Sequence, residues 1–184
     1  MKLNTLKDLY IEELRDIYSA ETQIVKALPK VAEACTSDEL KSAIEDHLDQ
    51  TKEQVERLDE IFESIGTPSK GRRCVAMEGL IKEAQEQLAE EMADDIKDAA
   101  IIGACQKIEH YEIAVYGTVC TYAKLLGRDD DLDLLGQSLD EEKEADETLT
   151  DIAENTINPE AAGAGQMEGE EQEEEAPIGR KKTK

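Results

Sequence analysis

From Leu6 to about Asn155 the apolar residues recur at intervals of three and four, the spacing that lines one face of an α-helix. The first such stretch has Asn4 or Thr5 as its cap and runs to about Ala34, with Pro29 expected to bend it near its end. Thr36, followed three residues later by Glu39, has the form of a capping box for a second helix that stops at Gly66, with Pro68 just beyond. A basic loop, Thr67 to Arg73, leads to a shorter amphipathic stretch with Met77, Leu80, Ile81, Ala84 and Leu88 on one side. Asp94 or Asp95 is placed to cap a third long helix reaching Leu126 and stopping at Gly127, and Asp129 to Asp131 open a fourth that runs to about Asn155.

Short turns make the first and second long helices one antiparallel hairpin and the third and fourth another. Two hairpins joined by a long connection predict an all-α fold, a ferritin-like antiparallel four-helix bundle with an additional short crossover helix. The bundle is expected to occupy residues 1–158. After Pro159 the composition turns to Gly, Ala and Glu and the periodicity ends, so 159–184 is read as a disordered acidic tail with a basic C-terminus, Arg180 to Lys184. Its removal is expected to leave the fold nearly unchanged.

The seams themselves are irregular in one respect. In the first helix the apolar line Leu14, Ile17, Ile24, Leu28, Val31 passes through Glu21, and in the last the line Leu135, Leu139, Leu149, Ile152 passes through Glu142 and Asp146. An ionised carboxylate is too costly to keep alone in a low-dielectric core, so it must be neutralised, paired or bound to a cation. In an antiparallel hairpin, residues equidistant from the turn share a level, which sets Glu21 beside Gln54 and Glu112 beside Glu142; Glu109 lies one turn from Glu112 on the same face. Glu21 to Gln54 and Glu109 to Glu142 also span the same interval, so the hairpins read as pseudo-symmetric halves.

Carboxylates gathered in a bundle core suit Fe or Mn, singly or as a dinuclear pair bridged by oxygens. The candidate metal ligands are Glu21, Glu109, Glu112 and Glu142, with Gln54 and Asp146 as weaker members. The complement found in di-iron bundles adds a His through Glu-x-x-His on each of two helices. This chain has 2 His and no such motif: Arg57 and Ala145 stand three residues after Gln54 and Glu142. His47 lies on the second helix's seam but about 10 Å along the axis from Gln54, so it is read as a hydrogen-bonded core residue closer to Leu28 than to Glu21, and His110 as a rim residue. Tyr18, Tyr111, Tyr116 and Tyr122 are read as packing residues with polar tips. Arg57 is the residue best placed to neutralise a core acid without metal, which is the chief argument for the alternative: a non-catalytic, dimeric structural bundle that holds no metal.

Composition narrows the field further. With 184 residues and 39% apolar content the chain can bury one substantial core. A formal net charge of -24 argues against nucleic acid as a partner, because affinity for phosphates rests on clustered Lys and Arg. No apolar run approaches the roughly 20 residues that span a bilayer, and Met1 to Leu6 has no signal-peptide character, so no membrane partner and a cytoplasmic location are expected. The 4 Cys show no C-x-x-C spacing and are expected to be free thiols.

Three segments resemble the YciE/YciF stress-protein family of the ferritin-like superfamily: Leu9 to Gln23 with its Ala20-Glu21-Thr22-Gln23, Cys74-Val75-Ala76-Met77-Glu78-Gly79-Leu80, and Lys107-Ile108-Glu109-His110-Tyr111-Glu112-Ile113. The likeness runs from about Leu3 to Ile157. It implies a ferritin-like fold related to rubrerythrin, a homodimer, and a stress-response role without an assured activity. Beside rubrerythrin-like di-iron enzymes the chain keeps Glu21, Glu109, Glu112 and Glu142 but has Gln54 and lacks the second- and fourth-helix histidines. If active, such a protein would reduce peroxide or oxygen at a carboxylate-bridged metal pair.

Overall fold

The computed structural model describes residues 3–163, and every described element is helical. Helix α1 spans Leu6–Ala34, α2 Asp38–Ile65, α3 Val75–Leu88, α4 Asp94–Leu125 and α5 Asp129–Ile152. A π-helical turn, Ala153–Ile157, follows α5, and the chain stays helical to residue 163, through Pro159. The boundary expected at 158 therefore falls inside a helical segment; the acidic run Glu168 to Glu175 and the basic terminus lie outside the described residues.

Local chemistry explains most helix ends. Thr5 Oγ1 accepts from the Asp8 backbone N–H at 3.1 Å while the Asp8 carboxylate accepts from the Thr5 N–H at 3.0 Å, a reciprocal capping box. Gly66 and Gly127 close α2 and α4 in the left-handed region, at φ 71° and 66°, where a side chain would be strained. Two expected caps differ. Ser37, rather than Thr36, caps α2 through its Oγ, because Thr36 is drawn away by Asp98 of α4. Ala93 occupies the cap position of α4, with Asp94 and Asp95 inside the first turn, where negative charge meets the positive end of the helix dipole.

The long helices form a closed ring in which α1 packs on α2, α2 on α5, α5 on α4 and α4 on α1, while α3 lies across α1 and α4 as the crossover. The loop before α3 runs hard against α1. Arg15 Nε donates to the Pro68 carbonyl at 3.2 Å, and a Cβ on Gly71 would come within 2.7 Å of Arg15 Cβ, so only glycine fits there. The core is assembled from the predicted seams: Leu14, Ile17 and Ile24 of α1, Leu40, Ile44, Leu58 and Ile61 of α2, Met77 of α3, Ile101 and Val119 of α4, and Leu135 of α5 are all essentially inaccessible. Burial of each such side chain contributes on the order of 1.5–3 kcal/mol, which is what holds a ring of acidic helices together. All four cysteines are free. Among the described residues no helix is long and apolar enough to cross a membrane.

Candidate metal centre

The ring encloses a polar layer halfway along the bundle. Glu21 from α1, Gln54 from α2, Glu109 and Glu112 from α4 and Glu142 from α5 are all buried, at 2% exposure or less. Each sits at a seam position because its helix has to turn that face inward to bury the leucines and isoleucines above and below it. A sixth buried residue joins them: His47 of α2 places Nε2 3.4 Å from Glu109 Oε1 and 4.0 Å from Glu142 Oε2.

One ligand atom from each of His47, Glu109, Glu112 and Glu142 lies within 4.8 Å of every other, which is the spacing of donors around a single cation. Glu21 borders this set. Its Oε1 accepts a hydrogen bond from the Tyr116 hydroxyl, and its charge is felt by Glu112 and Glu109. Gln54 donates through Nε2 to Glu142, and at 3.1 Å to Glu141. Asp146 stands apart from the set, accepting from Gln106 Nε2 at 3.4 Å with His110 Nε2 3.7 Å away.

Protonation follows from this crowding. Glu21, Glu109 and Glu112 are all held well above the usual carboxylate range, first because burial penalises the charged form and then because neighbouring carboxylates repel, Glu142 being the largest neighbour for Glu21 and Glu109, and Glu21 for Glu112. The Tyr116 hydrogen bond acts in the opposite sense on Glu21 without overcoming burial.

The pairing of the acids is incomplete. Glu21 Oε2, both ring nitrogens of His47, Gln54 Oε1, Glu109 Oε2, both oxygens of Glu112 and Glu142 Oε2 are buried without a hydrogen-bond partner. Unpaired buried polar atoms are rare in folded proteins, and this many in one layer make a donor set suited to a cation. Three carboxylates and one imidazole, hard and borderline donors, fit Fe or Mn.

Arg57 does not touch this set. It pairs with Glu141, Nη2 to Oε1 at 2.6 Å and Nη1 to Oε2 at 2.8 Å, and donates to Ser138 Oγ at 2.8 Å. Burial pushes the Glu141 carboxyl up, but the hydrogen bonds from Arg57 and Gln137 outweigh it and leave Glu141 below its usual range. Glu141 in turn accepts from Gln54, so Arg57, Glu141 and Gln54 form a chain that orients Glu142. Tyr111 faces the other way, donating to Asp16 at 2.6 Å beside the Cys74 thiol, and Tyr18 donates to Asp59 at 3.3 Å. Tyr122 is half-buried against the core.

His47 is thus the residue that sequence reasoning placed wrongly. Reflection through a turn gives levels within one hairpin, whereas His47 meets Glu109 across the diagonal of the ring, from α2 to α4. Those two helices run the same way, as shown by Asp98 near the start of α4 meeting Thr36 and Ser37 at the start of α2. Side chains on both lean toward the same end, and a long Glu and an imidazole close the remaining gap.

A ferritin-like helical bundle with a carboxylate and histidine core is the class that fold and site define together. The chain belongs to the family described as Domain of unknown function (DUF892), which it matches over residues 5–162. It is 45% identical over 162 residues to Protein YciF of Escherichia coli strain K12, covering 88% of this chain and 98% of that protein. The crystal structure of that stress protein aligns with a TM-score of 0.82 over 85% of this chain and 99% of its own. YcfI from Rhodopseudomonas palustris, whose name proposes a structural role, aligns at 45% identity and a TM-score of 0.79, over 81% of this chain and 95% of its own. The Xanthomonas campestris protein XCC3681, at 20% identity and a TM-score of 0.67 over 91% and 99%, shares the fold.

Proposed function

We propose that this chain is a stress-response protein that binds Fe or Mn in the middle of its bundle, through His47, Glu109, Glu112 and Glu142, with Glu21 available to a second ion. The observation that carries this reading is the set of buried donor atoms without partners, converging from three helices on one point and bordered by a fourth. Tyr116 fixes the orientation of Glu21 by donating its hydrogen to it, whereas Gln54 orients Glu142 through Nε2 and keeps its Oε1 free as a further donor to the cation. Without a cation the raised carboxyls hold protons, which cation binding displaces. When bound, Fe or Mn supplies the change of oxidation state that reduction of peroxide or oxygen requires.

The homology to the E. coli stress protein supports the cellular role, and the dimer and cytoplasmic location expected from the sequence belong to the same proposal. A second reading has its own observation: the Arg57, Glu141, Gln54 chain braces one edge of the acidic layer without any metal, as a purely structural bundle would. Elemental analysis of protein purified without chelator, followed by Fe and Mn titration of the stripped protein, separates the two. Stoichiometric uptake is expected, and substoichiometric metal after reconstitution would leave the structural bundle as the function.

A further inference from the structure

Among the described residues a cavity reaches the buried cluster from outside. This cavity, of about 190 Å³, lies in the groove between α2 and α5, with His47 and Glu109 among its lining residues. Its walls are Ala43 and Gln50 on one side and Ala145 on the other, and exposed Asp46 and Glu144 stand at its rim. Ala145 occupies the place, three residues after Glu142, where a Glu-x-x-His motif would put an imidazole. The missing ring leaves space, and that space connects the cluster to the outside. The His47 side chain is only 7% exposed, yet Nδ1 has no hydrogen-bond partner. A ring so buried, lining a cavity with a free donor or acceptor, points to something that passes or stops there.

We propose that the α2/α5 cleft is the port through which hydrated divalent cations reach the core, with Asp46 and Glu144 as the residues that attract them and Ala43 and Ala145 as those that keep the passage open. No lysine or arginine lines it, so the rim favours cations and small neutral molecules such as peroxide and turns away anions. The cavity's volume admits several waters, enough for an ion to enter hydrated and lose its water against His47 and Glu109. A separate cavity of about 310 Å³ between α1, α3 and α4 is lined by Ile24, Leu28, Ile81, Leu88, Ile101 and other mostly apolar residues, and none of the four clustered donors lines it. A desolvated ion has no reason to enter there.

This inference rests on the metal reading, and its test keeps the two apart. Uptake of Mn²⁺ by the stripped full-length chain would be followed by stopped flow against a competing fluorescent chelator, with stoichiometry measured separately at equilibrium. The pair Asp46→Asn with Glu144→Gln is expected to slow association by roughly tenfold at low salt, the scale of electrostatic steering. The gap should close in high salt as screening shortens to a few ångströms, with the number of ions bound unchanged. Ala145→Trp should slow uptake at every ionic strength; if that variant does not fold, the charge pair decides alone. Wild-type rates in the variants with full stoichiometry would overturn the port, as would a loss of stoichiometry, which would make Asp46 or Glu144 ligands. A wild type that takes up no Mn²⁺ at equilibrium would overturn the metal site itself and the port with it.

Discussion

The bundle buries acids in two different ways. At its ends, Asp98 and Asp131 are as inaccessible as the central glutamates, but their partners are complete. Asp98 accepts from the Thr36 N–H at 2.9 Å, the Thr36 hydroxyl at 2.6 Å and the Ser37 N–H at 2.7 Å, tying α4 to the turn between α1 and α2. Asp131 accepts from the Tyr10 hydroxyl at 2.8 Å and from Arg128, with Ser64 at 3.4 Å, tying α5 to α1 and α2. In the middle, Glu109, Glu112 and Glu142 face one another with oxygens unpaired. Burial alone therefore does not mark a functional acid; the difference lies in whether the fold itself satisfies the charge.

The sharpest way to break the comparison is Glu109→Ala. In the wild type, Mn²⁺ or Fe²⁺ at about a thousand times its dissociation constant should stabilise the fold by about 4 kcal/mol, read as a rise in Tm. In Glu109→Ala that rise should largely vanish, while the stripped protein melts at the wild-type temperature or above it, because one of several crowded like charges is gone. Asp98→Ala should do the reverse. It removes three hydrogen bonds to a carboxylate from the half-buried turn at Thr36 and Ser37, so the stripped protein should lose about 2 kcal/mol, while the metal-induced rise stays intact. If Glu109→Ala destabilises the stripped protein as Asp98→Ala does, the central acids are structural too.

The two kinds of acid were not equally legible in the sequence. Helix number, order and ends could be read because they depend on local chemistry: the Thr5 cap, Gly66, Gly127 and the leucine and isoleucine seams act within a few residues. Glu21, Glu109, Glu112 and Glu142 stood out because they interrupt those seams. Asp98 and Asp131 did not, since each sits in a first or second helical turn, where an acid is ordinary for the helix dipole. Thr36 misled for a related reason: its pattern with Glu39 fits a capping box, but its hydroxyl is taken by a residue 62 positions away. His47 shows the same limit. Its partner lies in the other hairpin, and reflection through a turn gives levels only within one hairpin.

A smaller effect sharpens the contrast through pH. The carboxyls of Glu21, Glu109 and Glu112 are raised in the folded, metal-free protein above the value of 4.5 ordinary for a free glutamate. Below that pH they are protonated whether the chain is folded or not, and they contribute nothing. Above it the unfolded chain gives up protons that the fold retains, so the stability of the stripped protein should fall as pH rises from 4.5, continuing until the buried groups ionise in place. Urea unfolding at several pH values should show this decline, and Glu112→Gln should flatten it. Saturating metal should flatten it as well, with protons released on binding near neutral pH, measurable with a weakly buffered indicator. A stability that instead rises across this range would mean that the central carboxylates are charged and satisfied as the terminal ones are.

The finest comparison uses two tyrosines. Tyr10 and Tyr116 are both fully buried and each donates its hydroxyl to a carboxylate, Tyr10 to Asp131 and Tyr116 to Glu21. Replacing either with Phe removes one hydrogen bond and should cost about 1 kcal/mol in the stripped protein. The consequences then diverge. Asp131 keeps Arg128 and Ser64, so Tyr10→Phe should leave metal binding untouched. Glu21 loses the largest of the contacts that lower its proton affinity against burial, so Tyr116→Phe should hold Glu21's proton more tightly. A cation must displace that proton to use Glu21. Tyr116→Phe should therefore weaken binding of a second ion and shift its onset to higher pH, while the first, held by His47, Glu109, Glu112 and Glu142, binds as before. Calorimetric titration of both variants at two pH values reads this directly: equal behaviour of Tyr10→Phe and Tyr116→Phe toward metal would show that Glu21 stands outside the site and belongs, like Asp131, to the frame.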